Sequence, residues 1–466
     1  MKAIFLTIIL ISVVFTVFAQ NTDVSVLSKT EKGKRILGYF AAFNSADETR
    51  LKNFFLENVA EESLKQRPVE PRLQFHRQLR ADLQSFEIRQ IVSLSDSEIK
   101  LLVQAKNGRW VNYSFRFETA VPFKMLGWMV EPADAPESAE QAKYKAPATK
   151  SEMLSTLENF LNDQAAAGSF SGVVLVAKDD KPVFSKAYGA ANREKKVSNK
   201  TDTKFNLGSI NKTFTRVAIG QLVKAGKLSF DDKLGKYLPD YPNRDAREKV
   251  TIRHLVTMRS GVGDFFGEKF IQTPKDKLRK NGDFIPLFAD QPLAFEPGTS
   301  QQYSNGGYIL LGAIIEKVTG QSYYEYVREN IFKVAGMTVT DSFEMDNLPE
   351  NTASGYTRRN PKGEWMSNAR FQPMRGSAAG GGYSNAEDLL KYSVALKSGR
   401  LTIPDDDGNP RKDAGLGVAG GSDGVNGILL VNPQTGYTII VLSNLDPPSG
   451  EKIGERIRDW TKQIVD

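Results

Sequence analysis

Phe205-Asn206-Leu207-Gly208-Ser209-Ile210-Asn211-Lys212-Thr213-Phe214 is the stretch around which the chain reads as organised. An apolar run ends at Leu207, and Gly208 permits a tight backbone turn. Phe214, Ala218, Leu222 and Ala225 then recur at helical spacing. Ser209 is therefore expected at a helix N-terminus, with Lys212 three residues on along the same face. A serine hydroxyl is a weak nucleophile until a base takes its proton. A lysine one turn away is such a base once burial lowers its pKa. The Ser209 N–H at the helix start is suited to an oxyanion. By itself Ser-x-x-Lys decides little, because the chain also carries it at Ser97–Lys100 and Ser449–Lys452.

The whole chain narrows the chemistry. Its 466 residues allow two or three domains, and 40% hydrophobic with 25% charged residues is ordinary for a globular protein. Cysteine is absent, which removes disulfides, thiolate nucleophiles and cysteine metal sites. The two histidines, His76 and His254, are too few for a His-rich metal cluster. No metal and no organic cofactor is expected. A net charge of +7 without a long Lys/Arg run reads as a mildly basic surface, and no nucleic-acid partner is expected.

Residues 1–19 read as a secretory signal: Lys2, an apolar run from Ile4 to Val17, and a small-residue site ending at Ala19. An uncleaved anchor is the alternative. No other stretch is long and apolar enough for a span, so an exported protein, periplasmic or secreted, is expected. Residues 25–132 place helical patterns (Ile36 to Phe43, Leu51 to Phe55, Arg72 to Leu83) before alternating runs at Phe86–Ile88, Glu98–Val103, Trp110–Phe117 and Met125–Val130. This order implies a small α+β accessory domain, similar in flavour to the cone-shaped ketosteroid-isomerase-like fold, with His76 a surface side chain and no acid/base constellation. Residues 133–149, rich in Pro, Ala and charge, read as a linker. From Lys150 an amphipathic helix is followed by a buried strand from Ser171 to Ala177 and a hairpin partner from Pro182 to Gly189.

Ser171 to Gly189 followed by Phe205 to Phe214 resembles the serine β-lactamase and penicillin-binding superfamily, in its class C β-lactamase-related branch. Further matching stretches come in the family's order: Thr251 to Thr257, Phe295-Glu296-Pro297-Gly298, Tyr303-Ser304-Asn305, Gly336-Met337, Gly380 to Ser384, and the closing strand from Gly436 to Asn444. The resemblance implies an α+β hydrolase domain over residues 150–466: an antiparallel sheet flanked by helices, plus a helical lobe, with the site between them. It implies Ser209 as nucleophile, Lys212 and Tyr303 as proton-moving partners, and Asn305 orienting a substrate amide. A phenolate at Tyr303 would be favoured by a cationic Lys212. The second Tyr-Ser-Asn, at Tyr383, is read as structural, with Ser384 and Glu387 forming a capping box. His254 is read as structural, and Ser449 as the N-cap of the last helix.

The third family element departs from its pattern. β-Lactamases carry Lys-Thr-Gly there and relatives often His-x-Gly, whereas this chain has Val418-Ala419-Gly420-Gly421. The glycines still allow close backbone approach, so the N–H of Gly421 is expected to pair with that of Ser209 as an oxyanion hole. The polar group suited to a substrate carboxylate is missing. The expected function is an exported serine hydrolase acting on an ester or amide, small-molecule or peptide. The alternatives are a penicillin-recognising D-alanyl-D-alanine carboxypeptidase or β-lactamase, and a catalytically weak binding protein of the same fold. The phenylalanines at 265, 266, 270, 284 and 288 are either an apolar side-chain pocket or plain core.

Overall fold

The computed structural model describes residues 24–133, 144–360, 363–405, 409 and 415–464. The signal-like segment and most of the linker stretch lie outside them. The chain divides into two compact units between residues 143 and 144.

The first unit is four helices followed by an antiparallel meander. Helices α1 (Glu31–Asn44) and α2 (Glu48–Asn58) start on Thr30 and Asp47, whose side chains accept backbone N–H groups of the first turn. Helices α3 (Glu61–Gln66) and α4 (Val69–Leu83) lead into β1 (Phe86–Leu94), β2 (Glu98–Ala105), β3 (Trp110–Phe117) and β4 (Met125–Ala133), paired in that order. The four alternating runs are thus strands. Ser97 and Lys100 stand at the start of β2, where they share no helical face. The core is aromatic: Tyr39, Phe43, Phe55, Tyr113 and Phe115 are fully buried.

His76 corrects the sequence reading. It is 2% exposed, with Tyr39 OH 2.8 Å from its Nε2 and Arg72 O 2.6 Å from its Nδ1. Desolvation lowers its pKa to about 4, against a smaller upward pull from the Arg72 carbonyl. The polar face that suggested a surface is buried because Arg72 turns inward. Its guanidinium donates to the carbonyls of Arg67 and Ser63 at 2.9 and 2.8 Å and lies 5.3 Å from the Trp128 ring centroid.

The second unit is built on a five-stranded antiparallel sheet. Helix α5 (Lys150–Ala166) precedes β5 (Gly172–Lys178) and β6 (Lys181–Tyr188). The remaining strands, β7 (Leu416–Ser422), β8 (Val425–Val431) and β9 (Tyr437–Ser443), come from the far end of the chain. The sheet order is β7-β8-β9-β5-β6, so β5 pairs with β9, Val173 facing Leu442 and Leu175 facing Ile440. These apolar strands are covered on both faces. With period two, Val173, Leu175, Leu429, Ile440 and Leu442 pack into the helical lobe. Val174, Val176, Ile428, Ile439 and Val441 pack against α5 and the last helix.

The helical lobe holds α6 (Lys212–Lys224), α7 (Asn305–Thr319) and α8 (Ala386–Lys397), and the chain closes with α9 (Glu451–Thr461). Helix α7 is buried along most of its length, from Asn305 to Ile315. Two expected caps differ. Asn385, not Ser384, caps α8, accepting from Asp388 N at 2.8 Å, while Ser384 pairs with Phe205 in a short ladder. Ser449 does not cap α9, because its hydroxyl is 2.8 Å from that of Ser443. His254 sits on a short helix (Ile252–Val256), exchanging capping bonds with Thr251.

Candidate active site

The expected turn exists, tightened by one step. Gly208–Asn211 forms a single 3-10 turn and Lys212 is the first residue of α6. Gly208 has φ +48°, a left-handed conformation that suits glycine. A methyl group at Gly208 would stand 2.9 Å from Gly421 N, and one at Gly420 would stand 2.8 Å from Ser209 N and 2.1 Å from Leu207 O. The end of β7 thus meets the Gly208–Asn211 turn backbone to backbone. The ladder pairs Gly420 with Gly427, Gly421 with Asn426 and Ser422 with Val425 across a two-residue turn. In such a hairpin the closing pair is hydrogen-bonded, so the Gly421 N–H points away from β8.

Around Ser209 the side chains converge. Tyr303 OH is 2.5 Å from Ser209 Oγ. Lys212 Nζ is 3.0 Å from Ser209 Oγ, donates to Asn305 Oδ1 at 2.7 Å, and also bonds the Ala379 carbonyl. Ser209, Lys212, Tyr303 and Asn305, 93 residues apart in chain from Lys212 to Asn305, are therefore one network. Tyr303 and Asn305 are placed by the start of α7, where Ser304 caps the helix by accepting from Gly307 N at 2.9 Å.

Sequence reasoning missed Asp264. Its Oδ2 accepts from Asn305 Nδ2 at 2.7 Å and from Asn305 N at 3.1 Å. It stands 41 residues before Asn305, so no local spacing links the two. The Ala379 carbonyl was also missed, and its only signal is the small-residue run Ala378 to Gly382, through which backbone can approach closely.

Burial sets the protonation states. Lys212 is 5% exposed, and desolvation lowers its pKa to about 7, with Asp264 pulling the other way. Desolvation raises the Tyr303 pKa, and Asp264 adds to the rise, while the bond to Ser209 opposes it. The expected phenolate therefore gives way to a protonated phenol beside a lysine that is partly neutral at pH 7. The Lys212 ammonium position is 4.8 Å from the Tyr303 ring centroid.

Ser209 opens into a cavity of about 350 Å³. One wall is Phe265, Phe266 and Phe284; another is Ala419, Gly420 and Gly421. Phe265 and Phe284 are core side chains, but Phe266 is 56% exposed, its ring centroid 4.3 Å from that of Phe265. Val418 turns toward the helical core and Ala419 lines the cavity, so the third element contributes no polar side chain. Among the described lining residues the cation is Arg359, whose guanidinium donates to Asp423 at 2.9 Å. Among the described residues no group of three or more His, Asp or Glu could hold a metal, and no helix is long and apolar enough to cross a membrane.

Three comparisons bear on this arrangement. The family model described as Beta-lactamase matches residues 157–461. Penicillin-binding protein 4* of Bacillus subtilis is 35% identical over 192 residues, 40% of this chain and 42% of that protein, so the chain spans less than half of that relative's length. The crystal structure of a penicillin binding protein from Bacillus halodurans superposes with a TM-score of 0.57 at 34% identity, over 65% of this chain and 99% of the other. D-amino acid amidase from Ochrobactrum anthropi SV3, at 22% identity and TM-score 0.56 over 67% of this chain and 99% of that one, shares the fold.

Proposed function

The chain belongs to the Beta-lactamase family, and from that premise we propose that it is an exported serine hydrolase that forms an acyl-enzyme on Ser209 and cleaves an ester or amide. The observation that carries this reading is the contact of Lys212 Nζ with Ser209 Oγ at 3.0 Å, with the amine buried and its pKa near 7. A base poised near the working pH combines the right protonation state with a real drive to take the proton.

The proposed steps use this chain's own groups. Neutral Lys212 accepts the Ser209 proton as Oγ attacks the carbonyl carbon. The N–H groups of Ser209 and Gly421 hold the developing oxyanion. Tyr303, kept protonated by its surroundings, gives its proton to the leaving group and takes one in turn from the Lys212 ammonium, which returns to the neutral form. Water then repeats the sequence on the acyl-enzyme, with Lys212 again taking the proton. No step calls on a cofactor.

The cavity chemistry favours a substrate with an apolar group beside the scissile carbonyl. Its aromatic wall is partly uncovered at Phe266, and its cation, Arg359, is already paired with Asp423. A terminal carboxylate of the D-alanyl-D-alanine or β-lactam kind has no free cation to meet at Val418-Ala419. The names of the relatives favour the penicillin-recognising alternative, and sustained turnover of a β-lactam is the result that would install it. The signal-like residues 1–19 support export.

The deciding experiment is hydrolysis of a short-chain p-nitrophenyl ester by the protein starting at Gln20, beside Ser209→Ala. Turnover by the first and none above background by the second is expected. Equal rates from both would remove Ser209 as nucleophile and bring the binding-protein alternative forward.

A further inference from the structure

A buried amine has three N–H bonds when charged and two plus a lone pair when neutral. Lys212 Nζ has three polar neighbours. The Ala379 oxygen is a carbonyl and can only accept. The Ser209 hydroxyl can do either. Asn305 is the ambiguous one, since a carboxamide presents an acceptor on one side and a donor on the other.

Asp264 removes that ambiguity. Its Oδ2 takes both the Nδ2 and the main-chain N–H of Asn305, which turns Asn305 Oδ1 toward Lys212. The other carboxylate oxygen accepts from Phe266 N at 3.0 Å, so the carboxylate is itself held in place. Among the described residues no Lys or Arg forms an ion pair with it. With Ala379 O and Asn305 Oδ1 each claiming an N–H, the one direction left for the lone pair of neutral Lys212 is Ser209 Oγ.

We propose that Asp264 is a positioning residue: by locking the Asn305 carboxamide it aims the Lys212 lone pair at the Ser209 hydroxyl. The proposal rests on the Ser209 hydrolase reading and adds to it the group that sets the direction of proton transfer. The proton leaves Ser209 Oγ for Lys212 Nζ, and Asp264 touches neither. Its negative charge also favours the cationic form of Lys212. The other groups facing the amine are the Tyr303 ring at 4.8 Å and the Tyr308 ring at 5.6 Å, the latter's hydroxyl bonded to Val256 O. The N-terminus of α6 works in the opposite sense to Asp264, because it disfavours positive charge.

The test is the pH–rate profile of p-nitrophenyl acetate hydrolysis for the full mature chain, for Asp264→Asn and for Asp264→Ala, with Ser209→Ala as background. Asp264→Asn keeps size and an acceptor for Asn305 but removes the charge. Its lower pH limb is expected to move to the acid side by roughly one pH unit, with the plateau kcat within a few-fold of the parent. Asp264→Ala loses both charge and lock, and is expected to show the same limb shift with kcat down about tenfold or more. An Asp264→Ala plateau no lower than that of Asp264→Asn would overturn the proposal, because the lock would then aim nothing, and so would an unmoved limb in both variants, which is the pattern a purely structural role predicts. Should Asp264→Ala fail to fold, Asp264→Leu, close to aspartate in size but with no acceptor for Asn305, takes its place with the same expected outcomes. If the parent and Ser209→Ala hydrolyse equally, the hydrolase reading falls and takes this proposal with it.

Discussion

His76 in the first unit and Lys212 in the second are buried nitrogen bases, each close to a tyrosine ring. His76 is bonded to Tyr39 OH, and Lys212 reaches Tyr303 through the Ser209 hydroxyl. Both are almost fully buried, and in both desolvation is the main force lowering the pKa. The outcomes differ because the starting values differ. An imidazole beginning at 6.5 is driven to about 4 and is a neutral structural hydrogen-bonding group at every ordinary pH. An ammonium beginning at 10.5 is driven to about 7 and becomes a base that loads and unloads near neutrality. Access separates them further. Tyr39 is enclosed by aromatic rings, whereas Ser209 faces a cavity. Burial therefore makes a reactive base only where the ordinary pKa lies far enough above neutrality to be brought down to it.

Removing Lys212 breaks the comparison most strongly. Lys212→Met is expected to lower kcat/KM for a p-nitrophenyl ester by about 10³-fold and to abolish the limb near pH 7, read from a pH–rate profile. A limb that survives would assign it to another group.

The next effect belongs to His76 and appears in stability, not rate. Above pH 6.5 the imidazole is neutral whether the chain is folded or not. Between 6.5 and about 4 the unfolded chain takes up a proton that the folded chain refuses. Stability present above pH 6.5 is thus lost as pH falls toward 4, by about 3 kcal/mol in total. Denaturant unfolding of the full chain at pH 7.5 and 4.5 measures it, and in His76→Gln this contribution should vanish.

The smallest effect sharpens the difference in access. Phe266 is exposed, so Phe266→Ala should change stability little. It should nevertheless lower kcat/KM for a p-nitrophenyl phenylacetate about tenfold relative to the acetate, in line with the loss of roughly one aromatic contact. Equal changes for both esters would reduce the phenylalanine wall to packing.

How legible each region was follows the range of its interactions. The strands showed as alternation or as continuous apolar runs, because one or both faces of each are covered. The Ser209–Lys212 pair is one helical turn long and so is written locally, and Tyr303 and Asn305 stand two residues apart at a helix start. Asp264 acts across 41 residues through one amide, which leaves no periodic trace. His76 misled for a related reason. Its helical neighbours Arg72 and Arg80 suggest solvent, but Arg72 spends its donors on carbonyls at the end of α3, and that is visible only once the two helices meet.

The glycine contact between the Gly208 turn and β7 also bears on solubility. A five-stranded sheet has two raw edges able to recruit strands from other molecules. On β6 that edge carries Lys181, Pro182 and Lys186, charged and proline residues that discourage such pairing. On β7, at Gly420 and Gly421, the Gly208–Asn211 turn sits against the strand, so the segment that carries the proposed nucleophile also shields the sheet margin. Side chains introduced at these glycines would push that turn aside, and the damage would extend past the reaction to self-association through an uncovered strand.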